Sequence, residues 1–315
     1  MKTCLVTDGL AYLPFEEMVK TSAGIGIESL EIACGNWSGA PHMKLDEMLA
    51  SADARKHYMD VIHSHGMELD ALNCSGNQLE PNATGRQHQE VVEKTFRLAE
   101  LLGVKKIVMM SGLPGGNATD TCANWVSHCW PPSCQDMLKY QWEDVLIPYW
   151  EKQVKMAENC GIEAIALENH PMQCVYNATT LLQLREAVGP MIGLNLDPSH
   201  LMFMGGDGIE MAKKLGVDAI HHVHAKDTRK ERDRFGADGG LETRFFDRFT
   251  ERAWNYVALG FGEGTEWWKE FFAVLSMMGY QGTVSLEIED QTMAPLTAIK
   301  KSMKFLQDVL PEDYD

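Results

Sequence analysis

The strongest constraint on this chain is a repeated alternation of short β-prone apolar runs with amphipathic segments. Four of the runs in its second half end in side chains that bind metals. Ile162-Glu163-Ala164-Ile165-Ala166-Leu167 runs into Glu168, Asn169 and His170, and Met191-Ile192-Gly193-Leu194-Asn195-Leu196 runs into Asp197 and, three residues on, His200. Residues 219–223 lead to His224, and residues 283–286 lead to Glu287. Runs of this kind read as buried parallel strands joined by crossover helices. Strand C-termini are where a (β/α) barrel holds its active site, so the four ends form one candidate site.

The first half supplies matching units. Cys4-Leu5-Val6, residues 29–33, 68–72 and 106–110 read as strands, and residues 15–23, 52–65 and 86–102 carry helical periodicity. With strands around Ala164, Gly193, Ile220 and Val284 the count reaches eight, and residues 294–310 supply a closing helix. The expected fold is α/β, a (β/α)8 TIM barrel. A length of 315 residues with 45% hydrophobic and 23% charged content is enough for residues 1–315 to form a single domain. Residues 111–141 and 228–264 are too long for ordinary connectors. Both follow strands and so emerge on the active face; a substrate-covering lid is the expectation for the second, and a lid or an oligomer-contacting excursion for the first.

A formal net charge of -17 repels phosphate backbones and anionic lipid, which argues against nucleic-acid and membrane partners and for a small neutral substrate. The N-terminal run meets Asp8 too early for the apolar core of a signal peptide, and no later run reaches membrane-spanning length, so a cytoplasmic protein is expected. The eight cysteines contain no Cys-x-x-Cys pair and read as free thiols.

Two Glu, one Asp and one His supply mostly hard oxygen with one imidazole. That set suits Mn²⁺ first, with Mg²⁺ or Co²⁺ as alternatives, over a thiolate-bound structural zinc. One such ion holding two adjacent sugar oxygens polarises a carbonyl, acidifies the neighbouring C–H and stabilises the enediolate formed when a base removes that proton. His170, two residues past Glu168, points to the same side of an extended strand and is a candidate base, or a histidine oriented by its loop.

The segments Ala166-Leu167-Glu168-Asn169-His170-Pro171, Asn195-Leu196-Asp197-Pro198-Ser199-His200, His222-Val223-His224-Ala225-Lys226-Asp227, Gly262-Glu263-Gly264 and Ser285-Leu286-Glu287 together resemble the xylose-isomerase-like TIM barrels of the sugar phosphate isomerase/epimerase group. That superfamily includes ketose 3-epimerases, inosose dehydratases and endonuclease IV. The resemblance covers essentially the whole chain in strand order. It implies that Glu168, Asp197, His224 and Glu287 are the metal ligands, that Glu168 and Glu287 are the acid/base pair, and that His200 contacts substrate oxygens. Lys226 and Asp227 are implied as substrate or supporting contacts, with a loop ion pair as the alternative. Arg229 is a further substrate-binding candidate, although the ketose 3-epimerase pattern places its arginine slightly farther on, where this chain has Lys230. Glu31, Trp37, Asn73 and Asn77, at early strand ends, are secondary candidates for lining a sugar pocket.

The expected activity is therefore metal-dependent isomerisation or epimerisation of a sugar or keto-sugar. The alternative is a lyase of the same barrel family, an inosose dehydratase or the large subunit of a 3-keto-glycoside C-deglycosidase, in which the enediolate expels a leaving group. A homo-oligomer is expected, with a hetro-oligomer containing a small β-rich subunit under the deglycosidase reading. An endonuclease IV-like nuclease needs further histidine ligands where this chain has Asn73 and Ser111, and a non-catalytic sugar-binding subunit would have lost a ligand.

Overall fold

A computed structural model describes residues 1–311. In chain order the strands are β1 (Lys2–Val6), β2 (Ser29–Ala33), β3 (Glu68–Asn73), β4 (Lys106–Met109), β5 (Ala164–Glu168), β6 (Ile192–Leu196), β7 (Ile220–Ala225), β8 (Asp227–Lys230), β9 (Trp254–Val257) and β10 (Thr283–Leu286). Eight of them close into a barrel in the cyclic order β1, β2, β3, β4, β5, β6, β7, β10, which is the fold expected from the alternation of runs. Helices fall where the periodicity put them, at Phe15–Ile25, Ala52–Ser64, Ala83–Leu102 and Pro295–Val309. The helix expected over 86–102 begins three residues earlier because the Asn82 side chain accepts from the backbone N–H groups of Thr84 (2.9 Å) and Gly85 (3.4 Å).

Contacts gather into two compact units. One comprises residues 1–31, 61–68 and the chain from Leu196 onward; the other comprises residues 32–60 and 69–195. In the second unit the parallel register sets Val108 beside Ala166, and Ala71, Val108 and Ala166 form a cluster of small apolar side chains. In the first unit the register sets Cys4 beside Ser29 and Ser285, Val6 beside Glu31, and His224 beside Ser285. Side chains alternate across a strand, so β2, β7 and β10 turn Ser29, Glu31, His222, His224, Thr283 and Ser285 to one face and Leu30, Val223, Val284 and Leu286 to the other. The apolar residues make the runs legible as strands; the polar ones between them make one face chemical. Most barrels fill that face with Val, Ile and Leu.

Residues 228–264 carry more structure than a loop. β8 pairs antiparallel with β9, from Asp227 opposite Val257 to Lys230 opposite Trp254, and a helix (Arg232–Asp238) lies between them. Phe203, Ala253, Trp254 and Tyr256 form a small core of their own, with the Phe203 and Trp254 rings stacked at 3.8 Å. The polar sequence Asp227-Thr228-Arg229-Lys230 has no apolar run to mark a strand, which is why the pattern reads as a connector. No helix among the described residues is long and apolar enough to cross a membrane.

Candidate metal centre

The site is built on the parity of β7 and β10. His222, His224 and Lys226 are successive positions on one side of the chain, and so are Thr283, Ser285 and Glu287 on its neighbour. The resulting contacts climb the strand pair. His222 Nδ1 lies 3.2 Å from the Thr283 hydroxyl, His224 Nδ1 lies 3.1 Å from Glu287 Oε2, and Lys226 Nζ lies 3.1 Å from the same Glu287 oxygen and 2.6 Å from Glu289.

Asp197 is placed by a helix start. It caps the short helix Pro198–Phe203, its Oδ1 accepting from Ser199 N at 2.8 Å, with proline at the first helical position, where its missing N–H costs nothing. The cap leaves Oδ2 directed at His200, whose Nε2 is 3.2 Å away, and 4.0 Å from Lys226 Nζ. Burial opposes the charge on Asp197, but His200, Lys226 and His224 outweigh it and hold the carboxyl well below its usual range.

Beneath this lies Glu31, fully buried. Its Oε2 accepts from His222 Nε2 at 2.9 Å and His224 Nε2 at 3.0 Å. Burial alone favours the neutral acid; the two histidines overcome it and hold Glu31 well below the carboxylate range. Burial likewise opposes a charge on His224, and Glu31 and Glu287 reverse that, raising it well above the ordinary imidazole value. Sequence reasoning placed Glu31 only as an incidental pocket residue. Its signal was a lone carboxylate inside an apolar run, Ser29-Leu30-Glu31-Ile32-Ala33, together with two histidines spaced by two on another strand.

Glu168 ends β5 and is buried. One donor atom from each of Glu168, Asp197, His224 and Glu287 lies within 4.8 Å of the others. These are the four residues the sequence resemblance implied as ligands. The donor chemistry fits a divalent cation: three carboxylates concentrate negative charge, and His224, with Nε2 bonded to Glu31, turns Nδ1 toward Glu287. A histidine that ligates through one nitrogen while a carboxylate holds the other is the usual arrangement at metal sites. Glu31, His222 and His224 form a second group with metal-ligand character, all buried, in which the observed contacts are the hydrogen bonds just described.

The other predicted residues divide. His200 and Lys226 join the group. Burial opposes the charge of Lys226, but Glu287, Glu289, Tyr256 and Asp197 surround it and hold its ammonium well above its ordinary value. Tyr256, which sequence reasoning missed, arrives on β9: its hydroxyl is 2.7 Å from His200 Nδ1, and Lys226 Nζ sits 4.3 Å from its ring centroid. The excursion over 228–264 thus delivers a side chain to the site. His170 stands at the mouth of β5, with Nδ1 against the Pro171 carbonyl and its ring 5.9 Å from that of Trp37.

Asp227 and Arg229 serve the excursion. Asp227 accepts from the backbone N–H groups of Thr228, Gly260, Gly262 and Glu263 at 2.8–3.0 Å and from Trp268 Nε1 at 3.3 Å, while burial pushes its carboxyl up to about 6 against those donors. Arg229 donates from Nε and Nη2 to Glu231 Oε1 at 2.9 and 2.7 Å. The Gly112-Leu113 loop is likewise engaged internally, its N–H groups donating to Gln173 (2.7 Å) and Asn77 (2.8 Å).

Comparison with known proteins agrees with the geometry. The chain is 53% identical over 314 residues to the uncharacterized protein YfiH of Bacillus subtilis (strain 168), covering 99% of this chain and 100% of that one. Among solved structures, the probable 3-DHS dehydratase AsbF of Bacillus anthracis superposes with a TM-score of 0.66 at 18% identity, covering 98% of this chain and 99% of that one. The IOLI protein with a bound zinc atom gives 0.66 at 21% identity over 98% of each chain. A D-psicose 3-epimerase from Clostridium cellulolyticum H10 gives 0.61 at 14% identity, covering 98% of this chain and 99% of that one. At these identities the structures share the fold. A family model described as xylose isomerase-like TIM barrel matches residues 19–309, and the chain belongs to that family.

Proposed function

We propose that this protein is a divalent-metal-dependent sugar isomerase or epimerase that removes a proton from the carbon beside a carbonyl. The observation that carries the reading is the grouping of Glu168, Asp197, His224 and Glu287 donors within 4.8 Å at strand C-termini. A divalent ion held there, Mn²⁺ by preference with Mg²⁺ or Co²⁺ as alternatives, supplies Lewis-acid polarisation of the substrate carbonyl. Glu168 and Glu287 take and return the proton, with His170 as a further candidate base. His200, its Nδ1 against Tyr256 and its Nε2 against Asp197, orients that ligand beside the substrate, and Lys226 supplies a buried positive charge where the enediolate oxygens gather negative charge. The D-psicose 3-epimerase of the same fold supports the epimerase form, and the zinc of the IOLI structure supports a metal. The acidic net charge supports a small neutral sugar over a nucleic acid or membrane.

A second reading, a lyase, shares the proton abstraction and differs in the next step, when the enediolate expels a leaving group. Lys226 favours it: a permanently charged ammonium 3.1 Å from Glu287 offsets the negative charge that builds on a departing oxygen, while the acid/base pair supplies the proton. The dehydratase neighbour supports the same chemistry. Both readings are tested by incubating metal-loaded protein in D₂O with ketohexoses, inosose and a 3-keto-glucoside, stripping the metal and following deuterium and products by NMR. Exchange without elimination is the isomerase result; loss of water or aglycone is the lyase result. Glu168→Gln and Glu287→Gln are expected to abolish both, and wild-type turnover in the two variants would sink the proposal.

A further inference from the structure

At the mouth of β5 the candidate base His170 meets Trp37, an indole that the proton transfer described above does not use. After β2 the chain turns through Gly35 (φ 146°) and Asn36 (φ 69°), two left-handed positions of a kind that glycine and asparagine tolerate best. Asn36 Nδ2 donates to the Cys74 carbonyl at 2.8 Å, and Trp37 N donates to the Ser75 carbonyl at 3.0 Å. A Cβ on Gly76 would stand 2.7 Å from the Asn36 Cβ, so the facing turn has to be glycine. Left-handed backbone and two hydrogen bonds to the loop after β3 therefore hold the chain at Asn36 and Trp37, and 51% of Trp37 is exposed.

An indole left half open offers a flat apolar face to a ligand, and this one stands next to the candidate site. Its ring meets the His170 imidazole with centroids 5.9 Å apart and planes tilted by 53°, making an aromatic corner. His170 is two residues beyond Glu168 on the same chain segment, which ties the corner to the metal centre.

We propose that Trp37 and His170 form a subsite for a ring carried by the substrate outside the carbons that react, so that the substrate is a glycoside and not a free monosaccharide. The proposal rests on the keto-sugar reading above and narrows it. The shared chemistry is a flat face of C–H or π character stacking on the indole, offered either by a second sugar ring or by an aryl aglycone.

The test is calorimetric binding of methyl 3-keto-β-D-glucoside, its phenyl analogue and 3-keto-cellobiose to the metal-loaded protein, for wild type, Trp37→Ala and Trp37→Phe. A ring-bearing probe is expected to bind the wild type at least ten-fold tighter than the methyl probe. Trp37→Ala should erase that difference while leaving the methyl probe unchanged, and Trp37→Phe should retain most of it. Preference for the phenyl probe identifies an aryl aglycone, and preference for the disaccharide a second sugar. Equal affinity for all three probes, an equal loss for all three in Trp37→Ala, or binding of none overturns the subsite. Deuterium exchange into the methyl probe by the wild type, lost in Glu287→Gln, separates failure of the subsite from failure of the metal-centre reading.

Discussion

Replacing Glu31 by glutamine removes the acceptor that two buried histidines share. Oε2 receives His222 Nε2 at 2.9 Å and His224 Nε2 at 3.0 Å; a glutamine that presents its carbonyl oxygen there turns an NH₂ to the other side and loses the negative charge. His224 then holds its ring less firmly and its Nδ1 is less basic. Loss of such a supporting carboxylate lowers metal affinity by roughly 10- to 100-fold, equivalent to about 1.4–2.7 kcal/mol. Glu31→Ala goes further, leaving two fully buried N–H groups without their acceptor, at about 1–3 kcal/mol each in folding stability. Titration calorimetry with MnCl₂ reads the first quantity and urea unfolding of the metal-free protein the second. Glu31→Gln binding Mn²⁺ within two-fold of wild type would refute the assignment of Glu31 as the residue that orients His224.

Three further outcomes follow from the same contacts. Lys226→Met removes a cation 3.1 Å from Glu287 and 4.0 Å from Asp197, so calorimetry should show tighter divalent-metal binding while turnover of any exchanging substrate falls. Tyr256→Phe deletes the hydroxyl 2.7 Å from His200 Nδ1, and a destabilisation of about 0.5–1.5 kcal/mol in urea melts, with reduced turnover, is expected from loss of that buried hydrogen bond. Asp227 ionises near pH 6 when folded against an ordinary value of 3.8, so the folded state binds more protons between those pH values and stability from this group falls as pH rises through them. Its full effect is roughly 3 kcal/mol. Urea melts from pH 4 to pH 7 should show a flatter decline in Asp227→Asn than in wild type; an unchanged slope would remove Asp227 as its source.

Much of the fold was readable because outward-facing side chains must be apolar. Val284 and Leu286, or Ile165 and Leu167, mark strands whatever stands between them, and the chain order of eight such runs leaves few alternatives to a barrel. The four candidate ligands were readable because they end those runs. Glu31 was not readable as a partner of His222 and His224, since 191 residues separate it from the nearer histidine and only barrel closure brings them together. Tyr256 was hidden for a related reason: β8 is made of charged and polar residues held by Glu231 and Asn255 contacts, so neither its pairing with β9 nor the direction of Tyr256 follows from local pattern. Asp227 shows the reverse error of emphasis, a carboxylate beside a ligand strand whose oxygens are committed to the Gly260–Glu263 backbone.

The climbing contacts of β7 and β10 carry an implication for how this site can vary. Displacing β7 by one residue against β10 would turn His222, His224 and Lys226 outward together and bring Val223 and Ala225 in. Assembly of His222, His224, Lys226 and Glu287 is therefore not a separate event from correct pairing of β7 with β10. Point substitutions along 220–226 should grade activity, whereas inserting or deleting a single residue there should act as an all-or-none change that no compensating side chain repairs.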